Sequence, residues 1–500
     1  MKNIILTLKI FAVVLLLTSC SDSFLDVNED PNNPISVTPD LMLPVAQGYS
    51  AFAQERDRGQ NTIGNLFMYN WSQSDGFSWY EDEFTYDVTP SFYQQIFNYA
   101  YTNVLKQYTA MENLEGGEYS YYQAIAKIMK AYQFQILVDT YGDIPYSEAL
   151  QRGGNPTPKY DKAEDIYADL IVQLDAAIDL IKTAPSLDVA VLQPGAGDDM
   201  MFDGNMTTWI KFANTVKLRV LVRQSDLAAK TDYIKTELSK ITAEGSGFMT
   251  TNATVNLGYV DEQDRQNPKW AGYGKQPAGG NNTLTNDATC ATDFILSYLQ
   301  NSGDGLRLDR IYEKPASGHL GVKQGELNYD IPVVDQWVPA KVSNIGPGIL
   351  KSFAQDAVLL TASEAYFNQA EAVFKGLMPG DAKVLYEKGI EASFVYLGLT
   401  ATNASDYYSR NANLVGWDAS ANKIQAIITQ KWIALNGIDA IQSWFDYTRT
   451  GYPANLPISA TASSSERPVR LAYPASEITS NSGNLPAQPN AFTSKIFWAN

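Results

Sequence analysis

The sequence predicts a predominantly α-helical protein, built from stacked helical hairpins, with which a tetratricopeptide-like geometry is compatible, and interrupted by long irregular loops. Three observations predict it: apolar residues recur at helical spacing, small residues sit inside those stretches, and turn signals join them in pairs. Ile125, Ile128, Met129, Tyr132 and Ile136 fall on one helix face, and Ile166, Leu170, Leu174, Ala177, Ile178 and Ile181 repeat the pattern. A third stripe runs through Leu359, Ala362, Tyr366, Ala370 and Val373, and a fourth through Ile424, Ile427, Ile428 and Trp432. Ala124, Ala131, Ala362, Ala365 and Ala370 mark places where neighbouring helices approach closely. Tyr141-Gly142-Asp143-Ile144-Pro145 and the stretch from Gly376 to Gly380 read as the turns within hairpins. No clean period of about 34 residues accompanies them, so helix pairing carries the expectation and a repeat motif does not.

The chain opens with MKNIILTLKIFAVVLLLTSC, in which Lys2 and Lys9 precede an apolar run from Ile10 to Leu17. That run is too short to span a bilayer, which takes about 20 apolar residues, so residues 1–19 read as a secretory signal that is removed. Leu17-Thr18-Ser19-Cys20 matches the lipobox pattern of bacterial lipoproteins, and by that resemblance Cys20 becomes the lipidated first residue. Residues 20–39 are acidic and rich in Asn and Pro, a composition suited to an extended tether. Residues 40–500 then form one domain, interrupted by loop insertions near 69–86, 251–282 and 315–347 that are too long to be mere connectors. The irregular stretch from Gly451 is expected to wrap the helical body.

Composition excludes several classes of function. With 37 Lys and Arg against 55 Asp and Glu the net charge is −18, and no basic run follows the first ten residues, so nucleic acid is excluded as a partner. His319 is the sole histidine, which rules out a multi-histidine metal centre and leaves one candidate for any His-dependent nucleophilic mechanism. With Cys20 acylated, Cys290 is the one remaining thiol, and no internal disulfide forms. No cofactor is expected. Asp261, Glu262 and Asp264 offer hard oxygen ligands for calcium but lack EF-hand spacing, so a solvated acidic loop is the expectation there.

Several motifs lie in a fixed order over most of the chain. Phe24-Leu25-Asp26-Val27-Asn28 follows the lipobox, then Asp139-Thr140-Tyr141-Gly142-Asp143-Ile144-Pro145-Tyr146 and Trp209-Ile210-Lys211-Phe212-Ala213-Asn214 with Lys217-Leu218-Arg219. Glu364-Ala365-Tyr366, Ala370-Glu371-Ala372, Gln430-Lys431-Trp432, Arg449-Thr450-Gly451-Tyr452-Pro453 and Arg470-Leu471-Ala472-Tyr473-Pro474 complete the series. In these motifs the chain resembles the SusD/RagB family of outer-membrane nutrient-binding lipoproteins. The resemblance implies four tetratricopeptide-like hairpins, a lipid anchor at the cell surface, and a non-enzymatic role. Such proteins act as the lid of a SusC-like TonB-dependent outer-membrane transporter and capture a glycan or peptide nutrient for it. One departure from the pattern is Arg467-Pro468-Val469-Arg470, where paired arginines are expected before the Tyr-Pro.

Two segments concentrate the chemistry suited to sugars, whose C–H faces stack on aromatic planes while their hydroxyls need fixed polar partners. The first is YNWSQSDGFSWYEDEFTY over 69–86, from which Trp71, Trp79 and Tyr80 are candidate ligand residues. The second supplies Arg265 and Asn267 for hydrogen bonds and Trp270 and Tyr273 for stacking. Trp337 is a further candidate. Glu364 and Glu371 lie on one helix face and are expected to serve the scaffold, although any pair of carboxylates keeps open the alternative of a surface-anchored glycoside hydrolase. A purely structural surface lipoprotein is the remaining alternative.

Overall fold

A computed structural model describes residues 37–326 and 337–499. The signal, Cys20 and nearly all of the tether lie outside the described residues. The first helix, α1 (Pro39–Glu55), already opens at the last tether position, because Pro39 sits in the first turn where its missing N–H costs nothing. It is followed by α2 (Gln60–Phe67) and the strand β1 (Trp71–Gln73).

The framework is a run of paired helices. α3 (Ser120–Tyr141) and α4 (Ala163–Thr183) form the first hairpin, with the two-residue strands β2 (Ile144–Pro145) and β3 (Tyr160–Asp161) paired in its turn. α5 (Met206–Arg223) and α6 (Thr231–Glu244) form the second. The strands β4 (Ala253–Val255), β5 (Thr289–Ala291) and β6 (Ala357–Leu360) lie in or beside the long insertion before the third hairpin, which consists of α7 (Ala362–Phe374) and α8 (Ala382–Tyr396). α9 (Lys423–Leu435) and α10 (Ala440–Thr450) make the fourth. Packing of α4 on α5, α5 on α7 and α7 on α9 stacks the hairpins continuously.

Local chemistry sets where these helices begin. Asn205, Thr361, Asp381 and Asn422 each occupy an N-cap and accept a backbone N–H from the first turn, satisfying donors that have no partner inside the helix. Gly142, Gly245 and Gly451 stop α3, α6 and α10 with positive φ.

The first two apolar stripes are buried throughout. The third is corrected by the structure: Leu359 belongs to β6, which pairs antiparallel with β4, while Tyr366 and Val373 are half-exposed on α7. Helical spacing carries that stripe across the Thr361 cap into a buried strand, Ala357-Val358-Leu359-Leu360, whose apolar residues follow no helical period. Ile424 is likewise only partly covered.

Charged groups run through the middle of this apolar stack. Arg219 on α5 grips Glu364 on α7 with two bonds of 2.8 and 2.6 Å. Arg449 on α10 grips Glu371 on α7 at 2.7 and 2.8 Å. Arg223 reaches Asp446 at 2.5 Å and Asp139 at 3.3 Å, and Lys431 meets Asp446 at 2.8 Å. All four hairpins therefore share one buried network, and Glu364 and Glu371 serve the scaffold as expected. Burial alone would raise the Glu371 carboxyl, but Arg449 and Lys375 outweigh it and hold the group at about 2.

Asp439 behaves oppositely. Burial and the neighbouring Glu364 charge push its carboxyl up to about 7, against the pull of Arg219 and a 2.6 Å bond donated by Gln54 of α1. A carboxyl raised on folding binds a proton that the unfolded chain has already lost, so its contribution to stability falls as pH rises from about 4 to 7. Asp439→Asn keeps an acceptor for Gln54 and abolishes the titration. This variant is expected to gain stability relative to wild type between pH 5 and pH 8, read from urea midpoints; parallel pH profiles would refute it.

The chain beyond Gly451 wraps the stack, with Leu471 N–H bonded to Thr140 O at 2.9 Å and Trp498 Nε1 to Asp139 at 2.8 Å. The segment that departs from the paired-arginine pattern is held on both sides. Arg467 donates to Pro457 O at 2.6 Å and lies over Tyr447, while Arg470 donates to Tyr141 O and lies over Tyr473.

Candidate binding cleft

Two of the three loop insertions meet in a cleft of about 550 Å³. One wall is the segment from Ser72 to Thr85. The other is formed by Val322, Lys323, Gly325, Glu326 and Trp337, with Thr461 from the C-terminal wrap. β1 fixes the first wall by pairing with β5, Ser72 opposite Cys290 and Gln73 opposite Thr289. The loop then turns at Asp75-Gly76, where φ of +86° suits glycine and the Asp75 side chain accepts the Gly76 N–H at 2.8 Å.

Gln73 shapes the loop beyond this turn. Its Oε1 accepts the backbone N–H groups of Trp79 at 2.9 Å and Tyr80 at 3.1 Å, and its Nε2 donates to Phe77 O at 2.8 Å. One amide thus holds the loop in the conformation that leaves the Phe77 ring half-exposed at the cleft. On the opposite wall Gln324 donates to Leu66 O and Trp71 O, both at 2.7 Å, tying that loop back to β1. Asp75 N–H bonds Trp337 O at 2.8 Å, so the two walls are joined at one end.

The lining combines three aromatic rings, Phe77, Phe84 and Trp337, with the polar groups of Ser72, Ser74, Asp75, Ser78, Glu81, Lys323 and Glu326. Ser72 Oγ is buried at the cleft and has no hydrogen-bond partner among the described residues. A buried hydroxyl without a partner costs free energy.

The structure sorts the sequence candidates. Trp337 lines the cleft, its body packed against Leu320, Val322, Cys290 and Val342. Trp79 flanks it half-buried, with Arg58 over its ring at 6.0 Å and Phe77 edge-on at 6.3 Å. Trp71, Tyr80, Asn267 and Tyr273 are corrected: all four are buried and present nothing to a ligand. Trp71 and Tyr273 pack on each other at 5.1 Å behind the loop, and Tyr80 OH pairs with Thr289 at 2.8 Å. Asn267 caps a short helix, accepting from Trp270 N–H at 3.0 Å and donating to Glu55 at 3.1 Å. The apolar mass of the aromatic side chains explains the burial of Trp71, Tyr80 and Tyr273, and helix capping that of Asn267. Arg265 is exposed and paired with Glu262 at 2.6 Å, and Trp270 is half-buried against the core; neither lines this cleft. Asp75, Phe77 and Glu81 lie in the 69–86 segment that the sequence marks, though outside its candidate ligand residues, and Lys323 and Glu326 carry no such mark. Asp75-Gly76 was the available signal, because a tight turn throws the next side chain outward.

The remaining polar motifs are internally engaged. Asp261 accepts from Gln266 at 2.8 Å and Asp264 from Gln263 at 3.0 Å. His319 bridges Asp309 at 2.8 Å and Ser343 at 2.9 Å, the three residue types of a nucleophilic triad. Ser343 is fully buried and also accepts Leu320 N–H at 3.2 Å, so the trio pins a loop and presents no nucleophile to solvent.

The fold is thus a helical-hairpin scaffold carrying an open, aromatic and polar cleft on inserted loops. The family model described as "Starch-binding associating with outer membrane" matches residues 31–474, and the chain belongs to this SusD-like family. Solved structures with the same fold include a chitin-binding SusD homologue from Flavobacterium johnsoniae, 22% identical with a TM-score of 0.71, covering 91% of this chain and 98% of that one. A SusD homologue from Bacteroides uniformis is 23% identical with a TM-score of 0.71, covering 92% and 99%. Another from Bacteroides thetaiotaomicron is 22% identical with a TM-score of 0.72, covering 93% and 99%. Comparison with curated proteins finds no match.

Proposed function

We propose that this chain is a cell-surface lipoprotein, anchored through Cys20, that captures an extracellular glycan or other oligomeric nutrient in the Ser72–Thr461 cleft. It delivers that cargo to a SusC-like TonB-dependent transporter, closing over the barrel as its lid, and acts by binding without catalysis. The observation that carries this reading is the cleft itself, where the half-exposed Phe77 ring and the edge of the largely buried Trp337 lie among serine and carboxylate groups that suit sugar hydroxyls. Membership of a family described as starch-binding and associating with the outer membrane supports the glycan class and the location, and the chitin-binding relative is consistent with it.

Isothermal titration of the protein against a panel of neutral oligosaccharides tests this reading. Phe77→Ala is expected to weaken binding of the responding sugar by about 1–2 kcal/mol, the loss of one stacked aromatic anchor, with an unchanged melting temperature. Asp75, Glu81 and Glu326 are carboxylates in the same cleft, so the mixtures are also assayed for new reducing ends. Turnover abolished by Glu81→Gln or Glu326→Gln would replace the binding reading with a glycoside hydrolase.

A further inference from the structure

A second, larger groove of about 800 Å³ lies on the third hairpin and contains none of the candidate ligand residues of the sequence or of the first cleft. Its walls come from Thr250–Thr254, from Lys351–Asp356 and from α8 across Lys388–Tyr396, with Tyr366 of α7 between them. Two lysines dominate it. Lys351 Nζ sits 3.7 Å over the Tyr396 ring and donates to Tyr396 O at 2.8 Å. Lys388 Nζ sits 5.8 Å over the Tyr366 ring. Neither ammonium forms an ion pair among the described residues, and both lysines are exposed at the groove, where an anion can reach them.

Two carboxylates share the groove but are placed differently. Asp356 accepts from Asn256 at 2.8 Å, and Glu391 lies on α8. Carboxylates are strong acceptors for sugar hydroxyls, tyrosine rings offer faces for pyranose C–H groups, and accessible ammonium groups can donate charge-assisted bonds to an anion. Desolvation at the groove wall, reinforced by Lys269 and Arg310, lowers the Lys351 ammonium to about 8 despite Asp356 and Glu55.

We propose that this groove is a second binding site, specific for a saccharide that carries carboxylates on some of its rings and is neutral on others. Lys351 and Lys388 meet the carboxylate, Tyr366 offers a face to the sugar rings, and Asp356 and Glu391 accept hydroxyls. An alternating ligand fits better than a uniformly charged polyanion, because the two wall carboxylates would repel an acid on every ring. The site is independent of the Phe77 cleft, and either one can fail without the other.

The test is titration with a tetrasaccharide that alternates glucuronate with N-acetylglucosamine, alongside the same tetrasaccharide with its carboxyls reduced to alcohols. The acid form is expected to bind at least about tenfold more tightly than the reduced form, as for loss of a charge-assisted hydrogen bond. Lys388→Ala, at an exposed position, is expected to remove about the same factor, and Lys351→Gln to do likewise, while Phe77→Ala leaves this binding unchanged. Absence of binding, equal binding of the acid and reduced forms, or indifference to both lysine substitutions would each overturn the proposal. Loss on Phe77→Ala would assign the acidic sugar to the first cleft and overturn it as well.

Discussion

Arg449→Ala is expected to destabilise the protein by about 3–5 kcal/mol, the range for removing one partner from a buried ion pair. The Arg449 side chain is fully buried and bonds both oxygens of Glu371, with Asp226 at 2.7 Å and Asp446 at 3.5 Å on its other sides. Truncation leaves Glu371 buried with only Lys375, at 2.9 Å, to oppose its charge, and it removes one of the three cations that hold the Asp446 carboxyl well below its usual range against burial. The penalty is mostly that of the abandoned carboxylates and not the worth of the pair itself. Arg449→Lys keeps the charge but cannot span both oxygens, and it should fall between alanine and wild type. Urea unfolding measures the series; a loss under about 1 kcal/mol for alanine would show that the neighbouring lysines already suffice.

Gly64→Ala is expected to cost about 3 kcal/mol or more, an unusually large penalty for adding one methyl group. A Cβ on Gly64 would stand 2.2 Å from Ala440 C and 2.2 Å from Ile441 N, so it meets backbone and cannot be relieved by a rotamer change. The contact is close because α2 is stitched to the start of the fourth hairpin's second helix. Asn61 donates to Gly437 O at 3.0 Å and accepts Ala440 N–H at 3.2 Å, while Asn65 accepts Gly437 N–H at 2.9 Å. Alanine has the higher intrinsic helix propensity, so a stabilising result in thermal unfolding would mean that the two elements separate easily.

Gly64 also shows where sequence reading stops. A glycine inside Gln60–Phe67 looks like a weak helix position, and nothing local says that another backbone passes 2.2 Å from its missing Cβ. By contrast, the face through Ile125, Ile128, Met129, Tyr132 and Ile136 was legible because a helix repeats its geometry every 3.6 residues, wherever its partner lies. The stripe drawn through Leu359 failed at a boundary that Thr361 itself marked, since a cap resets the period. In the cleft, the loops containing Trp79 and Trp337 were visible as compositional outliers. Their division into ligand-facing and core residues was not, because Trp71 and Tyr80 are buried by β5 and Thr289, more than 200 positions away in the chain.

The chain's own letters determined the helical hairpins, the acidic balance and the ordered motifs that mark the family, since each depends on neighbours within a turn or two or on composition alone. Tertiary structure decided which aromatic rings remain open, how Gln73 aims Phe77, and that two lysines nearly forty positions apart face one groove. Those outcomes depend on contacts between distant segments, whose closure follows the packing of the whole stack and leaves no periodic trace along the sequence.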